Sequence, residues 1–293
     1  MCTAVLSACT ATDVAVDTGV SYDDRYGAAT VMDVWRPAGP LTPRPAILMI
    51  HGGGWRSLTR DTMSEDAKRL AGAGYVVANV EYRLVPDGAF PNDVQDCLCA
   101  LAYLRAHASE YGVDPARIAS FGYSAGGHLA SFVGVGARVP EVAPDCAAAS
   151  SPALYVPPIA VVAGAGPEDL RTEPQVDTII EYVGGTLEDV PARYDLASPI
   201  THVAPDSPPY LFVQGEDDWF VDRAQAIAMQ GALDDAGVET RMLLVPGGGH
   251  LWNRGADGDR WEIPLTSTDT PEAQAAIVDF LDHTIGHAIG DAR

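Results

Sequence analysis

Ala46-Ile47-Leu48-Met49-Ile50 is an unbroken apolar run, with no alternation between polar and apolar positions. A strand with one wet face alternates, so a run apolar throughout belongs to a strand covered on both faces. Tyr75–Val80, Ile159–Ala163, Tyr210–Gln214 and Thr240–Val245 are further runs expected as strands. The stretches between them suit helices: Met63–Ala73, Pro91–Tyr111 with Val94, Leu98, Leu101 and Leu104 on one face, Asp222–Ala236, and Pro271–Ile285. A short helix is also expected over Pro174–Tyr182. Strand and helix in alternation predict an α/β fold: one doubly wound, mostly parallel sheet with helices on both faces. Val31–Trp35 alternates and meets a proline at Pro37, which reads as a further strand. No linker divides the chain, so residues 28–293 are expected to form a single domain. Residues 1–27 are small and polar and are expected to be poorly ordered. Residues 137–158 and 171–205 are the expected insertions covering a site.

A net charge of −22 excludes nucleic acid as a partner, because such a surface repels phosphates. No apolar run approaches the roughly 20 residues of a membrane-spanning helix. Cys97 and Cys99 fall in an expected helix, where positions two apart face different ways, so they do not share a metal. The pairing of Cys97, Cys99 and Cys146 is left open. Leu6-Ser7-Ala8-Cys9 has the form of a lipoprotein lipobox, making residues 1–27 a candidate signal remnant. The apolar run before Cys9 is short, however, and the first basic residue is Arg25. Secreted, lipoprotein and cytoplasmic locations all stay open.

Working residues of an α/β sheet sit on loops beyond the carboxyl ends of its strands. Gly122-Tyr123-Ser124-Ala125-Gly126 lies between a β-prone run and a helix-compatible run. Glycines at both flanks allow so sharp a turn, which would lift the Ser124 hydroxyl above the sheet as a nucleophile. His51-Gly52-Gly53-Gly54-Trp55 follows the first apolar strand. Its backbone N–H groups, at Gly53 and Gly54, together with that of Ala125 would form an oxyanion hole for a carbonyl oxygen turning negative. A serine hydroxyl is a poor nucleophile without a base, and His250, after strand Thr240–Val245, suits that role. A carboxylate must then orient the imidazole. Asp217 and Asp218 both lie in the loop after Tyr210–Gln214, and the residues alone do not choose between them.

Together these stretches resemble an α/β-hydrolase of the esterase and lipase group, which includes hormone-sensitive-lipase-like and bacterial feruloyl-esterase-like carboxylesterases. The resemblance runs over about residues 30–285. It is carried by His51–Trp55, Glu81-Tyr82-Arg83-Leu84, Phe90-Pro91, Tyr111–Pro115, Gly122–Ala130, Ala197-Ser198-Pro199-Ile200, Pro208-Pro209, Gly215–Val221 and Gly249-His250. It implies a serine carboxylesterase acting through an acyl-enzyme on short-chain or aromatic, feruloyl-like esters. In that family pattern Ser124 is nucleophile, His250 base and Asp218 the acid, with Gly53, Gly54 and Ala125 as oxyanion donors. No metal or organic cofactor is implied, and the partner is a small-molecule ester. Trp55, Trp219 and Trp252 adjoin the three loops and are candidate substrate-binding residues. His51 is expected to support the glycine loop, and His128 to pack beneath the turn. Two rival readings are an arylformamidase-like amidase and a hydrolase-like binding module without turnover.

Overall fold

A computed structural model of the chain describes residues 13–250 and 270–286. In order it runs β1 (Val14–Ser21), β2 (Val31–Pro37), β3 (Arg44–Ile50), α1 (Ser64–Gly72) and β4 (Val76–Val80). Then come α2 (Asn92–Ala106), α3 (Ala108–Tyr111), β5 (Val113–Tyr123), α4 (Ala125–Val135) and β6 (Ala160–Gly164). They are followed by α5 (Asp177–Val183), α6 (Pro191–Ala197), β7 (Tyr210–Gly215), α7 (Ala224–Asp235), β8 (Thr240–Val245) and α8 (Pro271–Ile285). The eight strands form one sheet in the order β1-β2-β4-β3-β5-β6-β7-β8. β1 and β2 join antiparallel, and the pairs from β4 to β8 are parallel. This is the doubly wound α/β architecture expected.

The apolar runs are unbroken because both faces are covered. Along β3, Ala46, Leu48 and Ile50 enter one core with Val94 and Leu98 of α2, Leu129 and Phe132 of α4, and Met229 of α7. Ile47 and Met49 point the other way, to Leu70 of α1 and Ile277, Phe280 and Leu281 of α8. Successive side chains of a strand face opposite sides, so a single sequence run fills two cores. β5 lies mid-sheet and carries its chain end directly to Ser124.

Two expectations change. Val14–Ser21, within the stretch expected to be poorly ordered, is an edge strand paired with β2. Asp24–Thr30 continues as a 3-10 segment. The lipobox and Cys9 lie outside the described residues. Among the described residues, 137–158 contribute nothing to the lining of the cavity beside Ser124; they lie against α2. Cys99 of α2 is disulfide-bonded to Cys146, and Cys97 is buried and free. Arg105 of α2 donates to the carbonyls of Leu154 at 3.0 Å, Val156 at 2.7 Å and Pro157 at 3.3 Å. Among the described residues no helix is long and apolar enough to cross a membrane, and no cluster could hold a metal ion.

Candidate active site

At the end of β5 the backbone reverses at Ser124, with φ +56° and ψ −124°, and α4 begins at the next residue. A non-glycine residue there stores about 1–3 kcal/mol of strain, which the surroundings must hold. The Ser124 N–H donates to Gly164 O at 2.8 Å, and its carbonyl accepts from His128 N–H at 3.0 Å. The flanking glycines are steric necessities. A Cβ at Gly122 would lie 1.9 Å from Gly126 O, and one at Gly126 would lie 2.1 Å from Ile50 O.

Ser124, Asp218 and His250 come from three loops, after β5, β7 and β8, and the fold brings them together. Ser124 Oγ stands 3.0 Å from His250 Nε2, and His250 Nδ1 stands 2.8 Å from Asp218 Oδ2. A carboxylate only accepts, so Nδ1 carries the proton and Nε2 is free to accept from the serine hydroxyl. The Asp218 side chain is wholly buried. It accepts from Gln214 Nε2 at 2.9 Å and from the N–H groups of Phe220 at 2.9 Å and Val221 at 3.0 Å. Such donors hold the carboxylate in place. Asp217 is exposed and turns away, its N–H bonded to Gly248 O at 2.9 Å. The hydroxyl of Tyr123 donates to the carbonyl of His250. Gln214 escaped notice in the sequence; the signal was an amide closing an otherwise apolar strand.

The glycine loop sits opposite. Gly53 and Gly54 adopt φ +115° and +59°, and Gly54 and Ala125 line the same cavity as Ser124. The N–H groups of Gly53, Gly54 and Ala125 donate to no protein acceptor among the described residues. His51 supports this loop from below. It is fully buried, stacked on Tyr82 with centroids 4.3 Å apart, and its Nε2 lies 3.5 Å from Glu81 Oε1. Glu81 pairs with Arg60 at 3.2 Å, and Arg60 with Asp33 of β2 at 3.1 Å. Asp33 also accepts from the N–H of Gly19, at the irregularity in β1. Burial pushes the Glu81 carboxyl up, but His51 and Arg60 outweigh it and hold the group below its ordinary value.

Beside Ser124 opens a cavity of about 260 Å³. Trp55 is buried in its wall, stacked on Tyr182 of α5 at 4.3 Å. Trp219 and Phe220 stand at its edge, 54% and 57% exposed. Trp252 lies outside the described residues. Val176, Thr178 and Ile179 come from the expected covering segment 171–205, whereas residues 137–158 contribute nothing among the described residues. His128 is buried under the turn, with Trp55 edge-on at 5.2 Å. Its Nε2–H donates to Ala197 O at 2.8 Å, and burial lowers its pKa to about 4, so it stays neutral. Glu173, which the sequence did not single out, also lines this cavity.

The BD-FAE family model matches residues 32–233, which include Ser124 and Asp218. Esterase LipC of Mycobacterium tuberculosis is 28% identical over 238 residues, covering 76% of this chain and 57% of the relative. The probable carboxylic ester hydrolase LipM of the same organism is 32% identical over 219 residues, covering 73% of this chain and 51% of the relative. The chain thus spans little more than half the length of these curated relatives. A truncated carbohydrate esterase from gut microbiota superposes with a TM-score of 0.74 at 24% identity, covering 94% of this chain and 97% of the other. The butyrate-bound esterase 2 of Thermogutta terrifontis gives 0.72 at 22%, covering 97% and 98%. At these identities the likeness is one of fold.

Proposed function

This chain belongs to the BD-FAE family, within the esterase and lipase group of the α/β-hydrolases, and on that footing we propose that it is a serine carboxylesterase acting through an acyl-enzyme. One observation carries the reading. Ser124, His250 and Asp218 form a continuous hydrogen-bonded line, at 3.0 and 2.8 Å, that opens onto a cavity.

Ser124 Oγ attacks the ester carbonyl carbon as its proton passes to His250 Nε2. The carbonyl oxygen becomes negative and receives hydrogen bonds from the N–H groups of Gly53, Gly54 and Ala125. The tetrahedral species collapses, the bond to the alcohol oxygen breaks, and His250 gives that oxygen its proton. Water then attacks the acyl carbon and passes a proton to His250. The bond to Ser124 breaks, its oxygen recovers the proton, and the acid leaves. Asp218 stabilises the imidazolium in both halves.

The cavity of about 260 Å³ is small beside the roughly 300–1,000 Å³ of drug-sized sites, which supports short acyl chains as substrates. Trp219 and Phe220 offer flat apolar faces at its mouth for an aromatic group. The Cys99–Cys146 disulfide supports an oxidising, extracytoplasmic compartment.

A fluorophosphonate probe and a substrate panel test the reading. The panel holds p-nitrophenyl acetate, butyrate and octanoate, a feruloyl ester and an aryl formamide. Labelling of native protein, none of Ser124→Ala, and fastest turnover of the short esters are expected. Labelling that survives in Ser124→Ala sinks the nucleophile assignment. Preference for the formamide would make the protein an amidase, and an unlabelled, inactive chain a binding module.

A further inference from the structure

Glu173 lines the cavity beside Ser124, and no step of the ester chemistry uses it. Among the described residues it is the one charged group in the cavity wall; its neighbours there include Trp55, Pro174, Ile179 and Phe220. The residue is 9% exposed. Other buried carboxylates of this chain have partners of their own: Asp96 has Arg83, Asp169 has Arg171, and Glu168 has the Ser131 hydroxyl. Among the described residues no basic side chain pairs with Glu173. The groups around its carboxyl are Asp169 after β6, Asp218 and Asp222 after β7, and the Gln225 amide of α7. Burial first, then the charges of Asp222, Asp218 and Asp169, push its pKa up to about 7, against the pull of Gln225.

A nearly buried carboxyl with such neighbours has acceptor capacity that the protein leaves unfilled, and a cavity that must lose its water makes that costly. We propose that Glu173 selects the substrate of this site, accepting a hydrogen bond from a hydroxyl or attracting the charge of an ammonium group on the ester, and turning away esters that carry a carboxylate. The inference rests on the esterase reading of Ser124. It follows from charge as well as geometry. An anionic ester would enter a wall that already holds Glu173, with the acidic residues Asp169, Asp218 and Asp222 around it, on a protein of net charge −22. A cation meets the opposite field and the exposed rings of Trp219 and Phe220 at the mouth.

The test follows acid release in a pH-stat, comparing native protein with Glu173→Gln, which keeps the side chain's shape. On the alcohol side the acetates of choline, of ethylene glycol and of glycolate are measured against neutral 3,3-dimethylbutyl acetate. On the acyl side methyl 3-hydroxybutyrate is measured against methyl butyrate. For native protein above pH 8, an ester that carries a hydroxyl or a cation should exceed its neutral partner in kcat/KM by roughly tenfold or more, and the glycolate ester should fall below. The choline preference should shrink as pH drops through about 7, because a protonated carboxyl no longer attracts a cation. Taking ratios cancels any pH dependence of the chemical step that is common to every ester. In Glu173→Gln the choline and glycolate ratios should approach one at every pH, and in Glu173→Leu, which removes the acceptor oxygen as well, the hydroxyl ratios should follow. Native ratios near one in both series, charged-ester ratios that persist in Glu173→Gln, or hydroxyl ratios that persist in Glu173→Leu overturn the proposal. If no ester turns over and no serine is labelled, the esterase reading itself fails. Calorimetry with choline then decides for Glu173 alone: binding that Glu173→Gln abolishes supports the role, and equal or absent binding in both proteins ends it.

Discussion

Breaking the Cys99–Cys146 bond should lower stability by a calculable amount and leave catalysis alone. The bond closes a loop with a sequence separation of 47 residues. Opening it returns to the unfolded chain an entropy worth about 4 kcal/mol at 25 °C on the chain-entropy model. The folded side loses little, because Arg105 still holds the carbonyls of Leu154, Val156 and Pro157, and Gln95 still donates to Ala143 O at 3.2 Å. Most of the loss should therefore reach the measurement. Unfolding entropy of about 2.1 cal/mol/K per residue gives roughly 0.6 kcal/mol/K for a chain of this length, so Tm should fall by about 5–7 °C. The assay is a circular-dichroism melt of native protein and of the Cys99→Ser, Cys146→Ser double variant, which avoids rearrangement through nearby Cys97. Turnover of p-nitrophenyl acetate at 25 °C should stay within about twofold, because residues 137–158 contribute nothing to the cavity among the described residues. An unchanged Tm would refute the entropy argument. A tenfold loss of turnover well below either transition would refute the separation of this segment from the site.

Asp218→Asn should keep the fold but cut kcat by about 10⁴, since an amide favours the wrong imidazole tautomer. Asp217→Asn should cost no more than a few-fold, and the reverse order in steady-state kinetics would place the acid one residue earlier. Glu81→Gln should destabilise the protein at neutral pH. A carboxyl held low by His51 and Arg60 contributes fully above its unfolded value of about 4.3, and that contribution fades as pH falls through the lower, folded value. Urea midpoints of the two proteins should thus differ at pH 7 and converge near pH 3; a gap that widens in acid would contradict the sign.

Much of this was readable in the sequence because burial on two faces leaves a strong mark. The runs at Ala46–Ile50 and Tyr210–Gln214 lie inside observed strands. β1 left no such mark, being an edge strand with three of its eight residues exposed, none buried, and Gly19 inside it. α6 was missed for a similar reason: it is seven residues long and buries only Tyr194 and Ala197. Local pattern carried Ser124 and His250, because glycine spacing and strand ends are sequence properties. The choice of Asp218 over Asp217 needed the family resemblance, and the structure brings the Asp218 carboxylate to His250. Partners distant in sequence were out of reach. Nothing near Cys99 foretells Cys146, and nothing in the stretch around Glu173 foretells that it lines the cavity of Ser124.

The ion pairs that run from Asp33 through Arg60 and Glu81 to His51 bear on how this protein can be cut and rejoined. The exposed turn at Ala38–Pro43, between β2 and β3, looks a convenient place to split the chain or to install new termini. Yet β2 supplies the Asp33 carboxylate that begins the series, and the series ends beneath the glycine loop. Fragments divided at that turn would regain the loop's support only on reassembly, so the first hairpin and His51–Trp55 are best treated as one inherited module. Surface ends lacking such a tie, for example the turn at Gly237 between α7 and β8, are the sounder positions for permutation.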